Sequence, residues 1–159
     1  MNDIVRLTDK NTLLLDIPSV ACEVPAWLQK KAQAAEYDNK SEYHVTIIGK
    51  KIAAKIGGLQ AVSAIQALAE QYEWDVQGTD TYIELAQTDE SGLHRQSIIQ
   101  LVSVPAFEPF FGEVEKILQQ PIDRPPAHIT LFTKNYDRGI GIYSQEDLTR
   151  FTVRHLSSY

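Results

Sequence analysis

Several residue types are scarce in this chain, and each scarcity excludes something. Its 159 residues include one cysteine, Cys22. A lone cysteine closes no internal disulfide and builds no cysteine-based metal site, so a reducing, cytoplasmic location is expected. Long apolar runs are missing as well. Leu13-Leu14-Leu15 is too short for a signal peptide or a membrane span, and no membrane partner is expected. Basic residues are outnumbered, 15 against 21 acidic ones, for a net charge of −6. A protein held on long duplex nucleic acid by nonspecific electrostatics needs the opposite balance. Glycine-rich phosphate loops are lacking too. Gly57-Gly58 and Gly139-Ile140-Gly141 fit neither the G-x-x-x-x-G-K-[ST] nor the G-x-G-x-x-G pattern.

What remains is an ordinary globular composition, 43% hydrophobic and 23% charged. It suits one domain over residues 1–159 that buries its own core, and a monomer is expected. Thr12 to Ile17 reads as a short strand closed by Pro18. Pro25 to Glu36 reads as a helix with proline in its first turn. Lys50 to Tyr72 is helical in two pieces split at Gly57-Gly58; Leu59, Val62, Ile65, Leu68, Ala69 and Tyr72 stripe the second piece. Trp74 to Thr88 and His94 to Val104 read as a hairpin around Asp89-Glu90-Ser91-Gly92. Pro105 to Gln119 is a further helix, striped by Phe107, Phe110, Phe111, Val114, Ile117 and Leu118. Gly139 to Tyr143 is expected to be a short strand, Gln145 to Arg150 a helical turn, and Phe151 to His155 a closing strand. Strands alternating irregularly with helices, plus a hairpin, indicate an α+β fold.

Two stretches repeat one pattern. Ser41-Glu42-Tyr43-His44-Val45-Thr46-Ile47-Ile48-Gly49 returns as Pro126-Ala127-His128-Ile129-Thr130-Leu131-Phe132-Thr133. The two histidines are 128 − 44 = 84 residues apart, about half the chain. Side chains alternate between the faces of a strand, so His44 and Thr46 share one face, as do His128 and Thr130. If the strands lie side by side, two imidazoles and two hydroxyls converge. The half-chain spacing suggests a weak internal duplication, two αβ lobes that each give one strand to a shared cleft.

That constellation suits phosphoester chemistry. Histidine titrates near pH 6.5, so one neutral ring takes a proton from an attacking hydroxyl while a protonated ring gives one to the leaving oxygen. Threonine hydroxyls hold the non-bridging oxygens. No metal or other cofactor is required, and no carboxylate or cysteine lies at a familiar ligand spacing from either histidine.

His44-Val45-Thr46 and Pro126-Ala127-His128-Ile129-Thr130-Leu131 resemble the two H-x-[ST] motifs of the 2H phosphoesterase superfamily, which includes 2′-5′ RNA ligase-like proteins and cyclic nucleotide phosphodiesterases. The resemblance spans the chain in layout and is specific at these two stretches alone. It implies an α+β fold of two pseudo-symmetric αβ lobes, with antiparallel sheets around a central cleft and helices outside. It also implies metal-independent hydrolysis of 2′,3′-cyclic phosphates or 2′-linked phosphodiesters of nucleotides or RNA ends. His44 and His128 would then be catalytic, and Thr46 and Thr130 would bind phosphate. Two alternatives stand beside it: a non-catalytic module that holds a nucleotide or RNA end, and a hydrolase of cyclic oligonucleotide immune signals.

Further candidates for substrate binding are Tyr43, Lys50, Trp74, Arg124, Lys134, Arg138 and Tyr143. Core packing is the competing reading for each aromatic, Tyr82, Phe132 and Tyr136 included. A solvated surface charge is the competing reading for each cation. His155-Leu156-Ser157 also fits H-x-[ST] but lacks the apolar continuation, and it reads as structural or surface. His94 reads as a solvated loop residue.

Overall fold

The computed structural model describes residues 5–18 and 21–158. The fold is mixed α+β. Eight strands form one open antiparallel sheet, and the described residues include five helices. The strands are β1 (Val5–Leu7), β2 (Leu13–Ile17), β3 (Asp38–Asn39), β4 (Tyr43–Ile48), β5 (Gln77–Thr88), β6 (His94–Ser103), β7 (His128–Lys134) and β8 (Thr152–Leu156). The helices are α1 (Ala26–Ala34), α2 (Lys50–Ala53), α3 (Leu59–Ala69), α4 (Phe107–Leu118) and α5 (Gln145–Phe151). Across the sheet the order is β1-β2-β4-β7-β6-β5-β8, with β3 pairing β7 beyond the end of β4. β1 and β3 were not anticipated; they are three and two residues long, below what alternation can reveal. Among the described residues no helix is long and apolar enough to cross a membrane.

One face of the sheet carries the main core. Leu13 and Leu15 of β2, Val45, Ile47 and Ile48 of β4, and Ile129, Leu131 and Phe132 of β7 are buried there. Leu28 and Ala32 of α1, Ile65 and Ala69 of α3, and Phe107, Phe110, Phe111 and Val114 of α4 cover them. Trp74 sits among these aromatics, edge-on to Phe110 with ring centroids 5.2 Å apart. This face anchors the sheet through apolar burial, at roughly 25 cal/mol for each Å² removed from water.

The opposite face is covered only in part. Ile83 and Leu85 of β5 and Ile99 of β6 pack there against Ile140, Ile142 and Leu148. Ile140 and Ile142 lie in the segment after β7, and Leu148 belongs to α5, whose Ser144 cap accepts a hydrogen bond from the Asp147 amide. Gly139 to Tyr143 is not a strand. It crosses over the sheet as an irregular segment held by the burial of Ile140 and Ile142. Where this cover ends, β4 and β7 lie open.

Both motif strands are irregular at the same point. β2 pairs Leu14 with Thr46 and Leu13 with Ile48, so Ile47 is an extra residue in β4. β6 pairs Ile99 with Thr130 and Ile98 with Phe132, so Leu131 is an extra residue in β7. Each bulge follows the threonine directly and turns the next residue toward the core. Unbroken alternation would aim Ile48 and Phe132 at the face of the histidines; both are instead 1% exposed within the core.

Candidate functional site

β4 and β7 are direct neighbours, paired antiparallel at Val45 and Ile129. Both of these residues are buried in the core. One step either side of that pair, His44 comes across from Thr130 and Thr46 across from His128. All four therefore project from the opposite, open face. They line one cleft of about 730 Å³, within the size range of small-molecule sites.

Each histidine has a distinct setting. The Nδ1–H of His128 donates to the Pro126 carbonyl at 2.8 Å. A carbonyl can only accept, so in the neutral ring Nε2 is left as the acceptor. Burial holds His128 below the ordinary histidine pKa, against the opposing pull of that hydrogen bond. Burial also lowers the pKa of His44, and Lys40 lowers it further; Asp16 opposes them, while Arg6 and His128 add to the depression. Asp16 lies across from His44 on β2. It is held there by Arg6, whose Nε and Nη2 donate to its two oxygens at 2.9 and 3.0 Å. The Arg6 hydrogen bond keeps Asp16 below the usual carboxylate range.

The segment after β7 approaches the site closely enough to require glycine. A Cβ on Gly139 would stand 2.7 Å from Thr130 Oγ1. The Tyr143 ring is wedged between backbones: a Cβ on Gly49 would meet Tyr143 Cε1 at 2.8 Å, and one on Gly141 would meet Cε2 and Oη at 2.8 Å. Lys51 Nζ stacks on this ring, 4.9 Å from its centroid. Burial raises the Tyr143 pKa, with Asp147 acting in the same direction and Arg95 against it.

Charge in the cleft is opposite to that of the chain. Lys10, Lys40, Lys50, Arg95 and Arg138 line it against Asp9 and Glu42, which gives 5 − 2 = +3 in a chain of net charge −6. Such a local reversal draws small anions into a concave site.

Of the candidates named from sequence, His44, Thr46, His128, Thr130, Lys50, Arg138 and Tyr143 all line the cleft. Four do not. Tyr43 is one residue out of phase with His44 and packs on the core face. Trp74 is 5% exposed, and its Nε1–H donates to the Ala69 carbonyl. Arg124 is occupied by Glu108 and Glu115 at 3.1 and 2.7 Å. Lys134 shares the phase of His128 in sequence, but the bulge at Leu131 turns it to the core face, where Nζ donates to the Ala35 carbonyl at 2.7 Å. Tyr82 and Phe132 belong to the core, whereas Tyr136 lines the cleft. His155 is exposed on β8, and His94 is exposed with Nδ1 3.0 Å from the Thr88 hydroxyl.

Lys10, Lys40 and Arg95 were not named as site residues. Lys10 sits in the β1–β2 turn and Arg95 on the far side of the site in β6, so neither is near a motif in sequence. Lys40, four residues before His44, also forms part of the wall. Among the described residues, no three or more His, Cys, Asp or Glu side chains gather where a metal ion would be held. Comparison of the chain with protein-family models, with curated proteins and with solved structures finds no match.

Proposed function

We propose that the cleft binds a phosphodiester between His44 and His128 and hydrolyses it by paired acid–base catalysis. The observation that carries this reading is the Val45–Ile129 register, which groups two imidazoles and two hydroxyls on one open face. The likeness of the two His-x-Thr strands to the 2H phosphoesterase motifs points the same way, as does the shared bulge after each threonine. On this reading the halves of the chain are two related αβ lobes meeting at the β4–β7 seam.

His128 is the base. Its tautomer leaves Nε2 bare, and among the described residues its hydrogen-bond partner is an uncharged carbonyl, which suits a neutral ring. His44 is the acid, since the Asp16 carboxylate favours the imidazolium. Nε2 of His128 takes the proton of the attacking water as its oxygen bonds to phosphorus. His44 gives its proton to the departing ribose oxygen, so charge is balanced through the step. Thr46 and Thr130 donate to the non-bridging oxygens, whose charge grows in the transition state. The substrates are 2′,3′-cyclic phosphates or 2′-linked phosphodiesters of nucleotides or RNA ends, and a 2′-phosphate is the expected product.

The test is incubation with 2′,3′-cyclic AMP and 2′-5′ oligoadenylate in EDTA, with products identified by chromatography. Turnover to a 2′-phosphate or a shortened oligonucleotide is expected. Saturable binding with no product would replace this reading with a nucleotide-holding module, and activity restored only by added metal would overturn the proposed chemistry.

A further inference from the structure

The arginines divide sharply by place. Of the six in the chain, Arg6, Arg124, Arg150 and Arg154 each bridge a carboxylate. Arg95 and Arg138 line the cleft, and among the described residues neither forms a carboxylate ion pair, although the charge of Arg95 is felt by the Asp89 carboxylate. This is unexpected where acidic residues outnumber basic ones 21 to 15. An arginine left without a carboxylate in such a chain is one whose counter-ion comes from elsewhere. The Arg95 guanidinium is oriented by Tyr136, with Cζ 4.8 Å from the ring centroid. Among the described residues its buried Nε has no hydrogen-bond acceptor, and the buried Ser97 Oγ, two residues along the same face of β6, has no hydrogen-bond partner. A buried donor without an acceptor costs about 1–3 kcal/mol, so a site that leaves one is incomplete until an acceptor arrives.

Place also separates Arg95 from the His/Thr group. Arg95 lies four residues from Ile99, the partner of Thr130 in β6, about 13 Å along the strand. Arg138 is joined to Gly139, which abuts Thr130. A planar guanidinium fork matches two phosphate oxygens, and one stacked on an aromatic ring is already oriented for them.

We propose that Arg95 and Arg138 form a second anion subsite that binds a second phosphate of the substrate, so that the cleft selects nucleotides carrying two phosphates over those carrying one. As a statement about substrate, this rests on the phosphodiesterase reading above. As a statement about binding, it stands on the arginines alone.

Calorimetric titration with adenosine 2′-monophosphate and adenosine 2′,5′-bisphosphate separates the two. The unaltered protein is expected to bind the bisphosphate at least about ten times more tightly. That ratio should collapse toward one in Arg138→Met and in Arg95→Met; Arg138 is exposed, so its replacement leaves the packing intact. Equal affinity for the two ligands, no binding of either, or a ratio that survives both substitutions would overturn the proposal. Hydrolysis of 2′,3′-cyclic AMP is measured alongside. A preserved ratio without turnover removes the enzyme reading and keeps the subsite, whereas turnover with equal affinities does the reverse.

Discussion

The two His-x-Thr strands are nearly alike in sequence and unlike in surroundings. Both carry a β-branched residue between histidine and threonine, and both bulge at the next residue. Yet His128 is held by its own chain, through a carbonyl two residues upstream. His44 answers to charges gathered from elsewhere: Lys40, the Asp16 carboxylate on β2, and the Arg6 guanidinium that grips Asp16. The difference teaches that a repeated motif need not be a repeated environment. One ring has its tautomer set locally and no formal charge bonded to it. The other sits among formal charges: burial and then Lys40 push its pKa down, and Asp16 on the neighbouring strand pushes it up. On the proposed scheme, these neighbours are what would make one ring the acid and the other the base.

The strongest way to break that comparison is to remove each ring. His44→Ala and His128→Ala are each expected to lower kcat/KM on 2′,3′-cyclic AMP by about 10²–10⁴-fold. The double variant should be little worse than either, because the pair acts as a unit. Full activity in both single variants would end the acid–base scheme.

A smaller effect separates the two glycines that let the cover approach the strands. Gly139→Ala pushes against Thr130 Oγ1, while Gly49→Ala pushes against the Tyr143 ring. Each overpacks and should cost about 1–3 kcal/mol in chemical denaturation. On the proposed scheme Gly139→Ala should also lower kcat/KM by about tenfold, since it displaces a hydroxyl assigned to the phosphate. Equal activity losses in the two variants would show that the hydroxyl has no special part.

The finest test is pH. Both histidine pKa values lie below the usual one, mainly through burial. At neutral pH both rings are then largely neutral and the acid is scarce. Activity should therefore rise as pH falls below about 6.5, and then drop once His128 is protonated. The groups facing His44 are Lys40, Asp16, Arg6 and His128. Asp16→Asn removes the one that supports the imidazolium, so the alkaline limb of the kcat/KM profile should move to lower pH while the acid limb stays. Movement of the acid limb instead would reverse the roles assigned to the two histidines.

Burial of the histidines also bears on stability. A histidine whose folded pKa is lowered is protonated first in the unfolded chain. Its share of stability is present above the unfolded value and is lost progressively as pH falls from there through the lower folded value. The acidity that would favour the proposed chemistry therefore weakens the fold.

Much of the site could be read directly from the chain, and what could not has particular causes. Tyr43 fails because it is out of phase with His44. Trp74 fails because a large aromatic amid Phe107, Phe110 and Phe111 is core. Arg124 is taken by Glu108 and Glu115, partners that lie on another element. Lys134 illustrates a subtler cause, for a single inserted residue reverses every side chain beyond it. The paired apolar residues after each threonine carried that signal: Ile47-Ile48 and Leu131-Phe132 break alternation in sequence, as a bulge does in a strand.

By itself the sequence determined the local directions. His44 with Thr46, and His128 with Thr130, share a face because backbone geometry alternates side chains over distances of one or two residues. The stripe of α4 and the tight turn of the β5–β6 hairpin follow from equally short-range rules. Only the tertiary structure decided that β4 lies against β7, that Asp16 faces His44, and that Arg95 and Lys10 reach the cleft from distant elements. Those outcomes depend on which strand order lets the chain bury one face of the sheet under α1, α3 and α4 while leaving the other partly open. That is a property of the whole packed chain, and no window of neighbouring residues contains it.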